Sequence, residues 1–123
     1  MIFSEYNEST NIIETNFKGE ISTHDILNYI ITLKEEFTTL QNRKIILDAT
    51  KAIFNVKINE LQKIAEANSI ASLLYKNTFI AIIIDSPKNT VLSMLYKELV
   101  LSDSVEFNIF STINRSREWL NNF

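Results

Sequence analysis

Cysteine is absent from this chain, and glycine, proline and histidine occur once each. Without cysteine there is no disulfide, no thiolate nucleophile and none of the usual structural zinc sites. That composition suits a reducing compartment. A single glycine, Gly19, leaves no glycine-rich loop to cradle a phosphate, no dinucleotide fingerprint and no nucleophile elbow. So few Gly and Pro also argue against an all-β sandwich or barrel, whose many turns need them. His24 falls in the first turn of an expected helix, where the helix dipole disfavours an imidazolium. It has no second histidine to share a metal, so an exposed surface residue is the expectation. No apolar run approaches the ~18–20 residues that span a bilayer. The longest, Phe79 to Ile84, has the length of a strand. The opening "MIFSEYNEST" lacks the basic-then-apolar pattern of a secretory signal.

What is present describes a globular chain. Hydrophobic residues make up 46% and charged residues 22% of 123 positions, and the net charge is −3. A chain of this size buries roughly two-thirds of its unfolded surface, enough for a core without staples. One domain over residues 1–123 is expected, in a soluble cytoplasmic protein. Nucleic acid is not an expected partner, because its binders normally carry a basic stripe. Arg115 and Arg117 read instead as solvated helix surface.

Periodicity supplies the elements. Residues 2–6 and 11–18 are rich in Ile, Phe, Tyr and Thr around the turn-forming "NESTN", which predicts a hairpin closed at Gly19. In "GEISTHDILNYIITLKEEF", Ser22 or Thr23 can cap a helix with Asp25 at its positive end. Ile26, Tyr29 or Ile30, Leu33 and Phe37 recur at helical spacing. "RKIILDAT" is a strand, followed by a loop and a helix over about 57–74 with Ile58, Leu61, Ile64 or Ala65, Asn68 and Ala71 on one face. "TFIAIIID" lacks alternation and reads as a strand buried on both faces. After Pro87 a helix carries Val91, Leu92, Leu95, Tyr96 and Leu99 as its apolar stripe. "VEFNIF" is a fifth strand with Val105, Phe107 and Ile109 inward, and "STINRSREWLNNF" a closing helix. The order β-β-α-β-α-β-α-β-α implies an α/β fold with a mixed, mainly parallel five-stranded sheet and about four helices.

That order and its tail resemble the SpoIIAA-like family of the STAS-like group. "VEFNIFSTINRSREWL" looks like the family's closing strand, link and helix, with Phe110, Trp119 and Leu120 as anchors. "FKGEISTHDI" is similar to its second strand and first helix cap, and "IILDAT" to its strand ending in Asp, at Asp48. "SPKNTVLSMLYKEL" resembles the helix before the last strand. The resemblance implies a domain that binds a protein partner and is switched by a phosphoserine at the start of the helix after the third strand. The chain departs from that pattern, because "DATKAIFNVKINELQ" has no serine and Thr50 is its only hydroxyl. The family's similarity to lipid-transfer domains of the CRAL-TRIO type makes an apolar ligand the second reading.

The candidate sites follow from position. Asp48 and Asp85 are expected where parallel strands end, the edge at which open α/β sheets bind ligands. Ser86 and Asn89 start a helix whose free amides could hold an anion. Against this, Asp85 or Ser86 can serve as the cap of that helix with Pro87 in its first turn. Trp119 beside Leu120 is expected to seal the last helix on the sheet. "AIFNV" places Ile53, Phe54 and Val56 in a loop, either folded back over the core or forming an apolar patch with Lys57 and the second helix. The tentative site is therefore Asp48, Thr50, Ile53, Phe54, Val56, Lys57, Asp85 and Ser86. The expected function is a non-enzymatic interaction or regulatory module that meets a protein partner or a second copy of itself. The alternative is a binder of a small apolar molecule or lipid in a pocket between sheet and helices. An enzyme, needing Asp48 and Asp85 on one substrate, ranks third. No cofactor or metal is expected.

Overall fold

Strand pairing follows chain order. The computed structural model describes residues 1–36, 41–100 and 102–123. Its five-stranded sheet runs β1 (Ile2–Asn7), β2 (Ile12–Ser22), β3 (Asn42–Asn55), β4 (Asn77–Ile83), β5 (Val105–Phe110) from one edge to the other. β1 and β2 form an antiparallel hairpin, and every later pair is parallel. The crossovers are α1 (Thr23–Glu36), α2 (Leu61–Ser72, preceded by a 3-10 turn at Ile58–Glu60) and α3 (Pro87–Leu99), and α4 (Ile113–Leu120) closes the chain. The mixed, mainly parallel sheet with four helices is the architecture expected from the sequence.

Parallel crossovers of one hand that advance strand by strand leave their helices on the same face of the sheet. Accordingly Ile30 and Leu33 of α1, Leu61, Ile64, Ala65 and Ala71 of α2 and Tyr96 of α3 join one core with alternate residues of the strands, Ile13 and Phe17, Ile45, Ile80 and Ile82, Val105 and Phe107. On the opposite face α4 covers a smaller cluster, Leu120 over Ile12, Ile46, Phe79, Ala81 and Ile83. Trp119 lies there edge-on to Phe79, with ring centroids 6.4 Å apart, and 5.6 Å from Phe110. Layers on both faces explain why β4 carries no alternation: all its residues from Thr78 to Ile83 are buried. The expected seal at Trp119 and Leu120 is what the structure has.

Local chemistry explains most boundaries. Asn11 adopts a left-handed φ of 58° in the hairpin turn, where Asn7 Oδ1 accepts from the Ser9 amide (3.1 Å). Ser22 caps α1 reciprocally: its Oγ accepts from Asp25 N (3.1 Å) while its own amide donates to Asp25 Oδ2 (2.9 Å). Those bonds hold the exposed Asp25 carboxyl below its ordinary value.

Four expectations need correction. Gly19 does not end the second strand. It lies inside β2 at φ 75°, a left-handed conformation that only glycine adopts freely, and pairing resumes through Ser22. β3 does not stop at Thr50 either. An extra residue bulges between the pairs Asn16–Asp48 and Lys18–Lys51, after which β3 pairs β2 to Asn55. "AIFNV" is thus mostly strand, and Phe54 is 6% exposed, edge-on to Phe17 with ring centroids 5.9 Å apart. Ile58 is not on the buried face of α2, since it sits in the 3-10 turn, largely exposed. Finally, the apolar stripe of α3 is split: Tyr96 is buried and Leu92 half-buried as expected, but Val91, Leu95 and Leu99 are exposed, and Asn89 and Ser93 complete the buried side. Phe37, expected on α1, lies outside the described residues.

Candidate functional site

Three places could carry function: the carboxyl edge of the parallel strands, the interior of the three-helix layer, and the outer face of that layer.

At the carboxyl edge several of the expected residues are engaged in local structure. Asp48 stands within β3, level with Ile83, and its Oδ1 accepts from both Thr50 N (3.1 Å) and Thr50 Oγ1 (2.7 Å). Asp48 and Thr50 thus brace the β3 bulge. Asp85 is exposed beyond the end of β4. Ser86 is the N-cap of α3: its Oγ accepts from Asn89 N (3.2 Å), its carbonyl from Thr90 Oγ1 (2.7 Å), and Pro87 takes the first helical position. The capping alternative therefore describes Ser86. Asn89 does not turn outward to an anion. It is buried and its Nδ2 donates to the Ala52 carbonyl (3.0 Å), tying the start of α3 to the end of β3. Of the apolar trio, Ile53 is 59% exposed, Phe54 is core and Val56 is half-buried. Lys57 is exposed, and its amide donates to Glu60 Oε1 (3.0 Å), which also accepts from Thr23 Oγ1 (3.0 Å). These bonds lower the Glu60 carboxyl, the Lys57 amide most. His24 is an exposed surface residue bonded to Asn28, and Arg117 pairs with Glu14. Among the described residues no three His, Cys, Asp or Glu side chains gather to hold a metal.

The interior holds a pocket where the alternative reading expects one, and in Arg43 a residue that the sequence did not point to. Between the sheet and α1, α2 and α3 lies a cavity of about 90 Å³, lined mainly by apolar side chains including Phe17, Leu33, Ile45, Phe54, Leu61 and Ile64. Tyr29, Asn68 and Tyr96 contribute polar atoms, but each is partnered: Tyr29 Oη bonds Thr15 Oγ1 (2.7 Å), and Asn68 Nδ2 donates to Tyr96 Oη. Burial pushes both phenols up to about 12, against hydrogen bonds that pull them down. Arg43 also lines the cavity and is 1% exposed. Its Nη2 donates weakly to Ser72 Oγ at 3.4 Å and its Nε has no partner. The guanidinium stacks 4.5 Å from the Tyr75 ring centroid. Desolvation lowers its pKa, opposed by Tyr75 and Tyr29. An "RK" pair at the start of an apolar strand suggests exposed charge, and only the odd-numbered alternation Arg43, Ile45 places it inward.

On the outer face, α2 and α3 lie side by side, both running antiparallel to the parallel strands. Ile70 is 61% and Leu73 80% exposed, with Leu74 close behind them, all toward solvent at the end of α2. Val91, Met94 and Leu95 of α3 are exposed as well. No helix among the described residues is long and apolar enough to cross a membrane.

No family model and no curated protein matches the sequence. Solved structures do. One is an uncharacterized protein of the DUF3478 family with a SpoIIAA-like fold, from Shewanella loihica PV-4. It superposes with a TM-score of 0.60 at 14% identity, covering 98% of this chain and 92% of that one. Another is the anti-sigma factor antagonist SpoIIAA in its unphosphorylated form, with a TM-score of 0.55 at 11% identity over the whole of both chains. The fold is SpoIIAA-like, as the resemblance in sequence implied.

Proposed function

We propose that this chain is a non-enzymatic regulatory module, a single SpoIIAA-like domain over residues 1–123, working in the cytoplasm by contact with a protein partner or a second copy of itself. The contact surface is the outer face of α2 and α3. The observation that carries this reading is the exposure of Ile70 in the last turn of α2 and of Leu73 and Leu74 just beyond it, with Val91 and Met94 of α3 also in solvent. Large apolar side chains gathered in solvent at one helix end support an interaction site rather than scattered surface residues. The likeness of fold to an anti-sigma factor antagonist supports a regulatory role. The chain works without a phosphoserine at the start of α2, because Lys57 to Leu61 bear no hydroxyl. Ile53 and Lys57, with Asp85 beyond β4, stay in the proposal as a secondary polar-apolar edge, held in place by Asp48, Thr50, Val56 and the Ser86 cap. Phe54 supports that edge from the core.

The test is a photo-reactive residue introduced at position 73 in cells of the protein's own source. A discrete cross-linked species is expected, a second copy or one partner, and none from the same residue at position 18. Equal adducts from both positions, or none from 73, overturn the assignment of the surface.

A second reading is favoured by the cavity: a small apolar molecule held between the sheet and the three helices. The two are compatible, because the cavity lies beneath the proposed contact face.

A further inference from the structure

Among the described residues, Arg43 is a buried cation without a counter-charge. Its backbone lies at the amino end of β3, and the odd-numbered register that buries Ile45 turns its side chain under the helical layer. The described groups around it are neutral: Ser72 Oγ at 3.4 Å, which is itself committed to the Asn68 carbonyl at 2.7 Å, and Tyr75, which offers its ring face and a side-chain hydrogen bond. The ion pair Arg117–Glu14 is the only one among the described residues, and it lies on the opposite face of the sheet. Leaving a guanidinium buried without a counter-charge costs several kcal/mol, whereas a carboxylate fork satisfies two of its donors at once. Water would fill a donor but could not supply the missing charge.

The cavity that Arg43 lines has the complementary character. Its walls run from Arg43 at the amino edge of the sheet to Phe54 and Leu61 at the other end, so one end is cationic and the remainder apolar. Of the other polar groups on its walls, Tyr29, Asn68 and Tyr96 already hold partners, and Ser93 carries no charge. One positive charge matches one negative charge; a dianion would leave a charge buried. At roughly 10–15 Å³ for each water-sized group, a 90 Å³ cavity holds a short molecule rather than a long acyl chain.

We propose that this cavity binds a small apolar monocarboxylate, its carboxylate paired with the Arg43 guanidinium and its tail against Phe54 and Leu61. The proposal rests on the second reading above and names the class of ligand. Bound acid would complete the core, so occupancy becomes a means of adjusting the helices whose outer faces meet the partner.

Isothermal titration calorimetry with hexanoate and with 1-hexanol, its uncharged counterpart, tests this on the full chain. Saturable one-to-one binding of hexanoate is expected, at least tenfold tighter than that of hexanol, and Arg43→Met should abolish the difference. Hexanol binding as tightly as hexanoate to the wild type overturns the role of Arg43 while leaving the cavity a ligand site. Binding of neither overturns both. Should Arg43→Met fail to fold, carbon-13 NMR of carboxyl-labelled hexanoate on the wild-type protein decides instead. The bound carboxyl should titrate at lower pH than the free acid, and titration as free acid overturns the pairing.

Discussion

Tyr96 joins the two halves of the helical layer. Its ring lies edge-on to Phe107 with centroids 4.8 Å apart, while its hydroxyl accepts from Asn68 of α2. Burial raises the phenol to about 12, so the native state holds its proton more tightly than the unfolded chain, whose tyrosines titrate near 10. The stabilisation is fully present below pH 10 and is lost as pH rises from about 10 to 12. From Tyr96 alone, urea unfolding at pH 11 should give a stability about 1.4 kcal/mol lower than at pH 8, one pKa unit's worth. Tyr96→Phe should flatten this dependence, at a cost of about 1 kcal/mol at pH 7 for the lost hydrogen bond. A variant as alkali-sensitive as the wild type would show that the phenol is not buried as described. At this scale the sequence was most legible where chemistry is local. The Ser22–Asp25 cap, the turn asparagines and the exposed His24 all follow from neighbours within a few residues. Arg43 was not legible, because its burial depends on the register of a whole strand and on helices far away in sequence.

Among the elements, α3 is fastened at both ends of its buried face, by Asn89 to the Ala52 carbonyl and by Tyr96 to Phe107. Its first turn depends on Ser86, which sits extended at ψ 144° and accepts from the Asn89 amide. Ser86→Ala should lower stability by about 1 kcal/mol, the usual cost of losing such a cap, and Ser86→Asp should restore most of it by the same geometry. Chemical denaturation of the two variants checks this. Equal losses in both would point to a role for the hydroxyl beyond capping. The elements themselves were legible from periodicity, but two faces were not. α3 reads as amphipathic around Val91, Leu92, Leu95, Tyr96 and Leu99, yet of these only Leu92 and Tyr96 turn inward, beside Asn89 and Ser93, with Asn89 and Tyr96 held there by hydrogen bonds. β3 seemed to end at Thr50 because the bulge shifts its alternation. Ile45 and Ala49 face the core before it, Ala52 and Phe54 after it, so a single period never runs the length of the strand.

For the whole molecule, composition and element order were enough to anticipate a mixed sheet, helical crossovers and a last helix sealed by Trp119 and Leu120. Which apolar residues reach solvent was only partly legible. The sequence pointed to the loop at 50–60 and the second helix; the structure buries Phe54 against Phe17 and leaves Ile70, Leu73 and Leu74 in solvent at the end of that helix. Apolar residues at helical spacing look alike in sequence whether they face a core or a partner, and only the packed fold separates them. The central claim is that the outer face of α2 and α3 is a contact surface, and sedimentation of the native protein in extract of its own source tests it most directly. The wild type should sediment well above the 14.2 kDa chain, and Leu73→Asp, an exposed change that leaves the core intact, should sediment as the lone chain. Wild type and Leu73→Asp sedimenting alike would contradict the account.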